Sequence, residues 1–167
     1  MTNTSKDFYR KLTLGGLLTA LVILLQVMGS FIRFGPFSVS LVLIPIVIGA
    51  ATCGPYIGAW LGFVFGLAVL LSGDAAAFLV ISVPGTILTV LAKGILCGLL
   101  AGVTYRLLAK WNTYVGVFAA AIVCPLVNTG VFLIGCRLFF WDTLITWAAA
   151  TPFGNNMLAY VFGGLVG

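Results

Sequence analysis

Lys93 is the residue whose type and position most directly suggest chemistry, because it is a cation inside a long apolar run. Residues 85–108 can cross a bilayer as one helix, and no choice of helix ends moves Lys93 out of the hydrocarbon. An ammonium at that depth costs several kcal/mol unless a partner or water meets it, and such charges usually mark functional sites. Since no acidic residue lies in any predicted span, we predict a water-filled cavity that opens to the outside and holds an anionic ligand.

Neutral polar and aromatic residues lie at or above the level of Lys93. Two threonines share its helical face, and two amides and a further threonine come from later segments. Together with tryptophans outside the spans, these residues could line and cover a site for a small ligand with polar and flat parts. The predicted substrate-binding residues are Lys93, Thr86, Thr89, Asn128, Thr129, Trp141, Asn155 and Asp74.

Two simpler interpretations of these residues remain open. Lys93 could bond to backbone carbonyls freed at a helix break such as Pro125, or extend outward to the membrane surface. Tryptophans near a membrane boundary, Trp141 included, are often anchors in the interfacial belt.

Several chemistries are excluded by the residues that the chain lacks. It has no histidine and no glutamate, and its three aspartates lie far apart, so acid–base pairs and zinc sites lack their usual residues. The four cysteines have neither metal-ligand nor redox spacing. No glycine-rich phosphate loop precedes a helix in the required context. We therefore predict no enzyme, no metal or cofactor, and no binding of ATP by this chain.

The composition predicts an integral membrane protein that forms a single domain over residues 1–167. Hydrophobic residues make up 62% of the chain and charged residues 7%, a balance typical of chains whose solvent is lipid. We predict an all-α bundle of six transmembrane helices, with Pro45 kinking the second and Pro125 interrupting the fifth. Segment 72–84 is predicted to be interfacial, and segment 137–156 is predicted to be a long re-entrant or interfacial loop. The predicted spans are 12–28, 38–53, 56–71, 85–108, 114–136 and 157–167. The last is too short to cross, which suggests first a truncated helix and second a half-helix.

The distribution of basic residues predicts a cytoplasmic N-terminus. Five lysines and arginines lie in segments on that side and two on the other, as the positive-inside rule requires. The net charge of +5 does not indicate nucleic-acid binding, because the basic residues are scattered beside apolar stretches.

Glycines recur every four residues along the third and fourth predicted helices. The two series are Gly54, Gly58, Gly62 and Gly66, and Gly94, Gly98 and Gly102. Such ridges let helices approach closely, and we interpret them first as internal packing and second as a docking or sliding surface. The first helix carries a shorter small-xxx-small pattern, Gly16 to Ala20, a candidate contact with a partner subunit.

Four segments in this order and spacing resemble the S components of energy-coupling factor (ECF) transporters, which capture vitamins in bacteria. They are residues 37–49, the turn Cys53-Gly54-Pro55 with the glycines after it, residues 91–94, and residues 127–130. The resemblance implies six helices, an extracellular-side substrate site covered by loops, and a location in the bacterial plasma membrane. It also implies that Gly16 and Ala20 meet a transmembrane coupling subunit, that two partner ATPases supply energy, and that this subunit topples to deliver its substrate.

An unpaired Lys93 favours an anionic vitamin such as pantothenate, folate, nicotinate, lipoate or biotin over a cation such as thiamine. Pantothenate is our first candidate. The alternatives are a biotin-specific S component, although its usual glycine-rich signature is not intact here, and an autonomous secondary transporter. The latter should show inverted repeats and an ion-coupling acid inside the membrane, neither of which is evident in the sequence.

Overall fold

The computed structural model describes residues 3–31, 41–139 and 141, and all regular structure within these ranges is helical. Five helices have 11 or more residues, and a single-turn helix lies between the third and the fifth in chain order. The all-α prediction is therefore confirmed. The segment predicted as the last span, 157–167, lies outside the described residues, so a six-span bundle stays a prediction. The helices are α1 (Asn3–Phe31), α2 (Leu43–Cys53), α3 (Pro55–Leu71), α4 (Ala76–Leu79), α5 (Val83–Leu108) and α6 (Thr113–Phe139).

Three of these helices contain segments long and apolar enough to cross a membrane: Tyr9–Gly29, Val83–Leu108 and Thr113–Phe139. At 1.5 Å per residue, the 26 residues of α5 extend over about 39 Å, which exceeds a hydrocarbon core of about 30 Å. Helices α2 and α3 are apolar but shorter, with 11 and 17 residues. The long helices thus match the predicted first, fourth and fifth spans.

Helices α3 and α5 pack backbone against backbone along their glycine ridges. A Cβ at Gly62 would overlap the carbonyl oxygen of Gly94, and a Cβ at Gly98 would overlap the carbonyl oxygen of Gly58. Further along, a Cβ at Gly66 would lie 3.0 Å from the Val90 carbonyl oxygen. Only glycine permits this separation, so the interpretation of the ridges as internal packing is confirmed. The exception is Gly54, which lies before α3 and has open space around it.

Helix α6 packs antiparallel to the other side of α5, and three contacts give the register. Near the start of α5, Gly85 faces Phe139 of α6. One turn further, Thr89 faces Gly135. Deeper still, the buried side chains of Cys97 and Cys124 are neighbours. Each turn of α5 toward its C-terminus therefore faces a turn of α6 closer to the N-terminus of α6.

The prolines disturb the helices less than the sequence predicts. Pro45 lies in the first turn of α2, where a backbone N–H has no partner within the helix, so the missing donor costs little. Pro125 lies inside α6, yet the helix continues through it to Phe139. The predictions of a break at Pro125 and of a loop that starts at residue 137 are therefore wrong.

Helix α5 begins at Val83, two residues before the predicted start. The Ser82 side chain accepts a hydrogen bond from Gly85 N at 3.4 Å, and Pro84 occupies the first turn, where proline is favoured. This capped start fixes where α5 begins, and therefore the position of its polar residues along the bundle.

Exposed aromatic residues surround the opposite end of the bundle, where the α2–α3 turn meets the α5–α6 connection. Tyr56, Trp111 and Tyr114 are 83%, 90% and 86% exposed. Aromatic rings at such positions are typical of the membrane–water interface. They place one membrane boundary at this end, so Lys93 lies toward the other boundary.

Candidate functional site

The ammonium of Lys93 lies between aromatic rings of the two helices that flank α5. Its Nζ is 5.7 Å from the ring centroid of Phe65 on α3 and 5.1 Å from that of Phe132 on α6. Both distances are within the range of cation–π attraction, which contributes about 0.5–2 kcal/mol per contact. Among the described residues, Lys93 forms neither a salt bridge nor a hydrogen bond to a backbone carbonyl. The rings therefore stabilise the charge in part and leave all three N–H donors open.

Two buried polar atoms near Lys93 have no hydrogen-bond partner. These are Thr89 Oγ1, one turn before Lys93 on α5, and Asn128 Oδ1 on α6. An unsatisfied buried polar group costs about 1–3 kcal/mol, so both atoms favour a partner that enters from outside the chain. Gly135 leaves room for the threonine, because a Cβ there would overlap the Thr89 side chain.

Asn128 lies on the face of α6 that packs against α5. It is four residues before Phe132, which contacts Lys93, and four residues after Cys124, which contacts Cys97. Residues four apart share one face of a helix. Along the bundle axis, the Asn128 amide thus lies between Lys93 and Cys97. It is farther than Lys93 from the end of the bundle where α5 begins.

Helix α4 brings one further aromatic ring over this group. The Phe78 ring meets the Phe132 ring edge to face, with centroids 5.6 Å apart and planes at 88°. Phe132 therefore lies between Phe78 on one side and the Lys93 ammonium on the other. The segment 72–84 was predicted as an interfacial stretch, and its single helical turn carries Phe78 against Phe132.

Asp74 lies in the turn that follows α3 and is held by a side chain of α1. Gln26 Nε2 donates to Asp74 Oδ2 at 2.6 Å and lies 3.5 Å from Ser72 Oγ. Gln26 itself is only 7% exposed. Asp74 itself is exposed.

The remaining predicted site residues are distributed unevenly. Thr86 is buried on the Lys93 face of α5, where its hydroxyl donates to the Ser82 carbonyl oxygen at 2.7 Å. Thr129 is partly buried and is the neighbour of Asn128 on α6. Trp141 lies just beyond α6 with its ring 4.5 Å from the guanidinium carbon of Arg137. Asn155 lies outside the described residues. The structure thus groups Lys93, Thr89 and Asn128, with Thr86 nearer the start of α5.

Reasoning from the sequence missed the aromatic residues of the site. Phe65 and Phe132 contact the ammonium, and Phe78 contacts Phe132, yet in an apolar membrane chain phenylalanines are ordinary lipid-facing or core residues. One usable signal was present: Phe132 is four residues from Asn128, so both belong to the same helical face.

The described part of the chain offers no arrangement suited to catalysis or metal binding. No group of three His, Cys, Asp or Glu side chains there could hold a metal ion. The four cysteines are free thiols, and three of them are buried. The polar group of Lys93, Thr89 and Asn128 can bind and orient an anion with hydrogen-bonding groups.

An apolar groove of about 570 Å³ runs along a different face of α5. Its lining has almost no polar surface, so it does not suit a charged ligand. It is also separate from the Lys93 face of the helix. The groove is lined by Pro84, Ile87, Leu88, Leu91, Ala92 and Ile95.

The small-xxx-small pattern of α1 lies on an open surface. Gly16 and Ala20 are exposed, and a Cβ at Gly16 would meet no atom within 4 Å. The adjacent Gly15, in contrast, is buried against Ile57 of α3. One face of α1 therefore packs on the bundle, and the face with Gly16 and Ala20 is available.

A comparison with protein families matches residues 10–166 to the family described as ECF transporter, substrate-specific component. The match covers nearly the whole chain, including the helices that carry the polar group. Neither curated proteins nor solved structures give a match.

Proposed function

The chain belongs to the family of ECF transporter substrate-specific components, and on this premise we propose that it captures a small anionic vitamin on the extracellular side. The family makes it a membrane protein that confers substrate specificity on a transporter rather than an enzyme. The resemblance found in the sequence is thereby confirmed. The substrate and its binding residues are argued from the polar group around Lys93.

One observation carries the proposal: the Lys93 ammonium, without a carboxylate partner, lies beside two buried polar atoms that also lack partners. A charged side chain at membrane depth costs about 3 kcal/mol on insertion scales. The two ring contacts offset part of this cost, but they provide no hydrogen-bond partner for Thr89 or Asn128. A ligand could satisfy all three groups if its carboxylate accepted hydrogen bonds from Lys93 and from the Thr89 hydroxyl, and if it also placed a donor at Asn128 Oδ1.

This pattern favours a carboxylate that also carries N–H or O–H donors. Pantothenate, with hydroxyl and amide groups, is our first candidate, and biotin, with ureido N–H groups, is the alternative. Lipoate offers a carboxylate but no such donor. A cation such as thiamine would face Lys93 with like charge, which is repulsive.

We also propose the orientation and partners that such a role requires. With the N-terminus cytoplasmic in a bacterial plasma membrane, the start of α5 and the α4 segment face outward, and the Lys93 group opens to that side. The exposed Gly16–Ala20 face would meet the transmembrane coupling subunit. Two ATPase subunits would then drive delivery of the substrate to the inside.

Lys93→Met is expected to weaken binding of the carboxylate vitamin at least tenfold, about 1.4 kcal/mol. Methionine keeps the length and apolar contacts with Phe65 and Phe132 but removes the charge. Titration calorimetry on the purified protein measures the change. The matched control is Lys110→Met, in the connection between α5 and α6 at the far end of the bundle, which should bind as the wild type does. Unchanged affinity in Lys93→Met would remove this lysine from the site.

The substrate itself can be identified by native mass spectrometry of protein purified from rich medium. A co-purified vitamin carboxylate is the expected result. A neutral or cationic vitamin would contradict the role assigned to Lys93 while keeping the transport function.

A further inference from the structure

We propose that Gly135 of α6 is a positioning residue for substrate binding. Because Gly135 has no side chain, Thr89 of α5 packs into the space beside it, with the threonine hydroxyl unbonded to the backbone of its own helix. That hydroxyl can then donate to the carboxylate of the substrate, next to the ammonium of Lys93. The inference rests on the proposed function and adds to it a residue that the sequence did not indicate.

The first support is the close fit of Thr89 against Gly135. A Cβ on Gly135 would lie 2.5 Å from Thr89 Oγ1 and 2.9 Å from Thr89 Cβ, and it would overlap Thr89 Cγ2. Both branches of the threonine side chain therefore occupy space that any other residue at position 135 would need. Thr89 is 5% exposed, and Gly135 is buried as well. The place of the hydroxyl thus depends on the missing side chain of Gly135.

The second support is the hydrogen bonding of Thr89, which differs from that of four other threonines in the helices. A threonine inside a helix can donate to the carbonyl oxygen one turn earlier. The threonines that do so, at 2.7–2.9 Å, are Thr13, Thr19, Thr52 and Thr86. Thr89 Oγ1 makes no such bond, although the atom is buried. Its donor is therefore left for a partner from outside the chain.

The third support is the place of this contact beside the cation. Lys93 is one turn after Thr89 on α5, and Phe132, whose ring contacts the Lys93 ammonium, is one turn before Gly135 on α6. The Thr89–Gly135 and Lys93–Phe132 contacts are thus adjacent in the same interface between α5 and α6. Asn128 lies one turn further along that face of α6. A displacement of α6 at Gly135 would therefore change how the ammonium, the hydroxyl and the amide face one ligand.

Gly135→Ala is expected to weaken binding of pantothenate at least tenfold, about 1.4 kcal/mol, with biotin as the probe if the wild type binds that vitamin instead. The added Cβ forces Thr89 to turn, α6 to move, or both. Calorimetry on the full chain measures the dissociation constants, and thermal melting measures the stability.

Gly116→Ala is the matched control for this variant. Gly116 is another buried glycine of α6, and a Cβ there would lie 3.0 Å from the backbone nitrogen of Ala109. The substitution therefore crowds α6 in a similar way, but at the far end of the bundle. Its affinity for the vitamin should equal that of the wild type.

Two double variants separate positioning of the hydroxyl from simple packing. Thr89→Ser and Thr89→Ala both remove the methyl group that the Cβ of Gly135→Ala would overlap, but only serine keeps a hydroxyl. Combined with Gly135→Ala, both should raise the melting temperature by the same amount. Affinity should return toward the wild-type value only with serine, and it should stay about tenfold weaker with alanine. Equal affinities of the two double variants, or unchanged affinity in Gly135→Ala alone, would overturn the inference.

Should every variant with Gly135→Ala fail to fold, Thr89→Val decides. Valine keeps both branches against Gly135 and removes only the hydroxyl, so weaker binding supports the inference and unchanged binding refutes it. Lys93→Met, measured in the same series, tests the proposed function itself. If Lys93→Met leaves affinity unchanged, the site is misassigned. If it weakens binding while the two double variants bind alike, the site stands and only the role of Gly135 is wrong.

Discussion

Gly16→Leu is expected to abolish substrate uptake by cells while the purified protein still binds its substrate with wild-type affinity. Gly16 is exposed on α1, and its position has 4 Å of open space where a side chain would start. A leucine there does not disturb the chain's own packing. It does fill the smooth surface that lets a partner helix approach closely, and small-xxx-small contacts tolerate no such bulk. Uptake of labelled substrate, in cells that contain the coupling and ATPase subunits, measures the loss.

A second α1 glycine provides the control for this experiment. Gly29 also has open space around it and lies outside the Gly16–Ala20 face, so Gly29→Leu should leave uptake intact. Ala20→Leu should reproduce the defect of Gly16→Leu, because both residues belong to one face. Capture of the coupling subunit by tagged protein should fall in parallel with uptake. If Gly16→Leu also lost substrate binding, the docking role would be refuted.

The parts of the fold that sequence predicted well are those with a strong local signal. The four-residue spacing of Gly58 and Gly62 in one helix, and of Gly94 and Gly98 in another, predicted a close helix contact. Glycines at this spacing let two helix backbones approach each other. Hydropathy located α5 and α6 to within a few residues. Both signals depend on periods within one helix, so they need no information about distant contacts.

The helix ends and prolines were predicted less well for a physical reason. Proline costs a helix one hydrogen bond only where the N–H would have had a partner. Pro45 is in a first turn and costs none, and α6 continues through Pro125 although one hydrogen bond is lost there. A local rule cannot distinguish these cases without the register of the neighbouring helices.

The candidate site shows the same difference between residues with a local sequence signal and contacts between residues far apart in sequence. Lys93 was evident because a charge in an apolar run is rare, and Thr89 follows from it by helical spacing. The Phe65 and Phe132 rings, and the bond from Gln26 to Asp74, join residues far apart in sequence. Which phenylalanine of 13 meets the lysine depends on how three helices pack. The sequence contains no local pattern that selects them.

Gly62→Leu is expected to prevent formation of a stable bundle, so that little folded protein can be purified. Even an alanine Cβ at Gly62 would overlap the Gly94 carbonyl, which is backbone and cannot move aside as a side chain could. The two helices would have to separate, and overpacking a core costs about 1–3 kcal/mol even where side chains can adjust. Against a total stability of about 5–15 kcal/mol, a leucine at this crossing exceeds what the bundle can absorb.

The milder Gly62→Ala tests the same contact in protein that still folds, and Gly130→Ala on α6 is its matched control. A Cβ at Gly130 meets nothing within 4 Å, so this variant should melt as the wild type does, whereas Gly62→Ala should melt at a lower temperature. Because α5 also carries Lys93 and Thr89, displacing it from α3 should weaken substrate binding as well. Equal melting temperatures for the two alanine variants would show that the α3–α5 contact does not determine stability, and the glycine ridges would then need a different role.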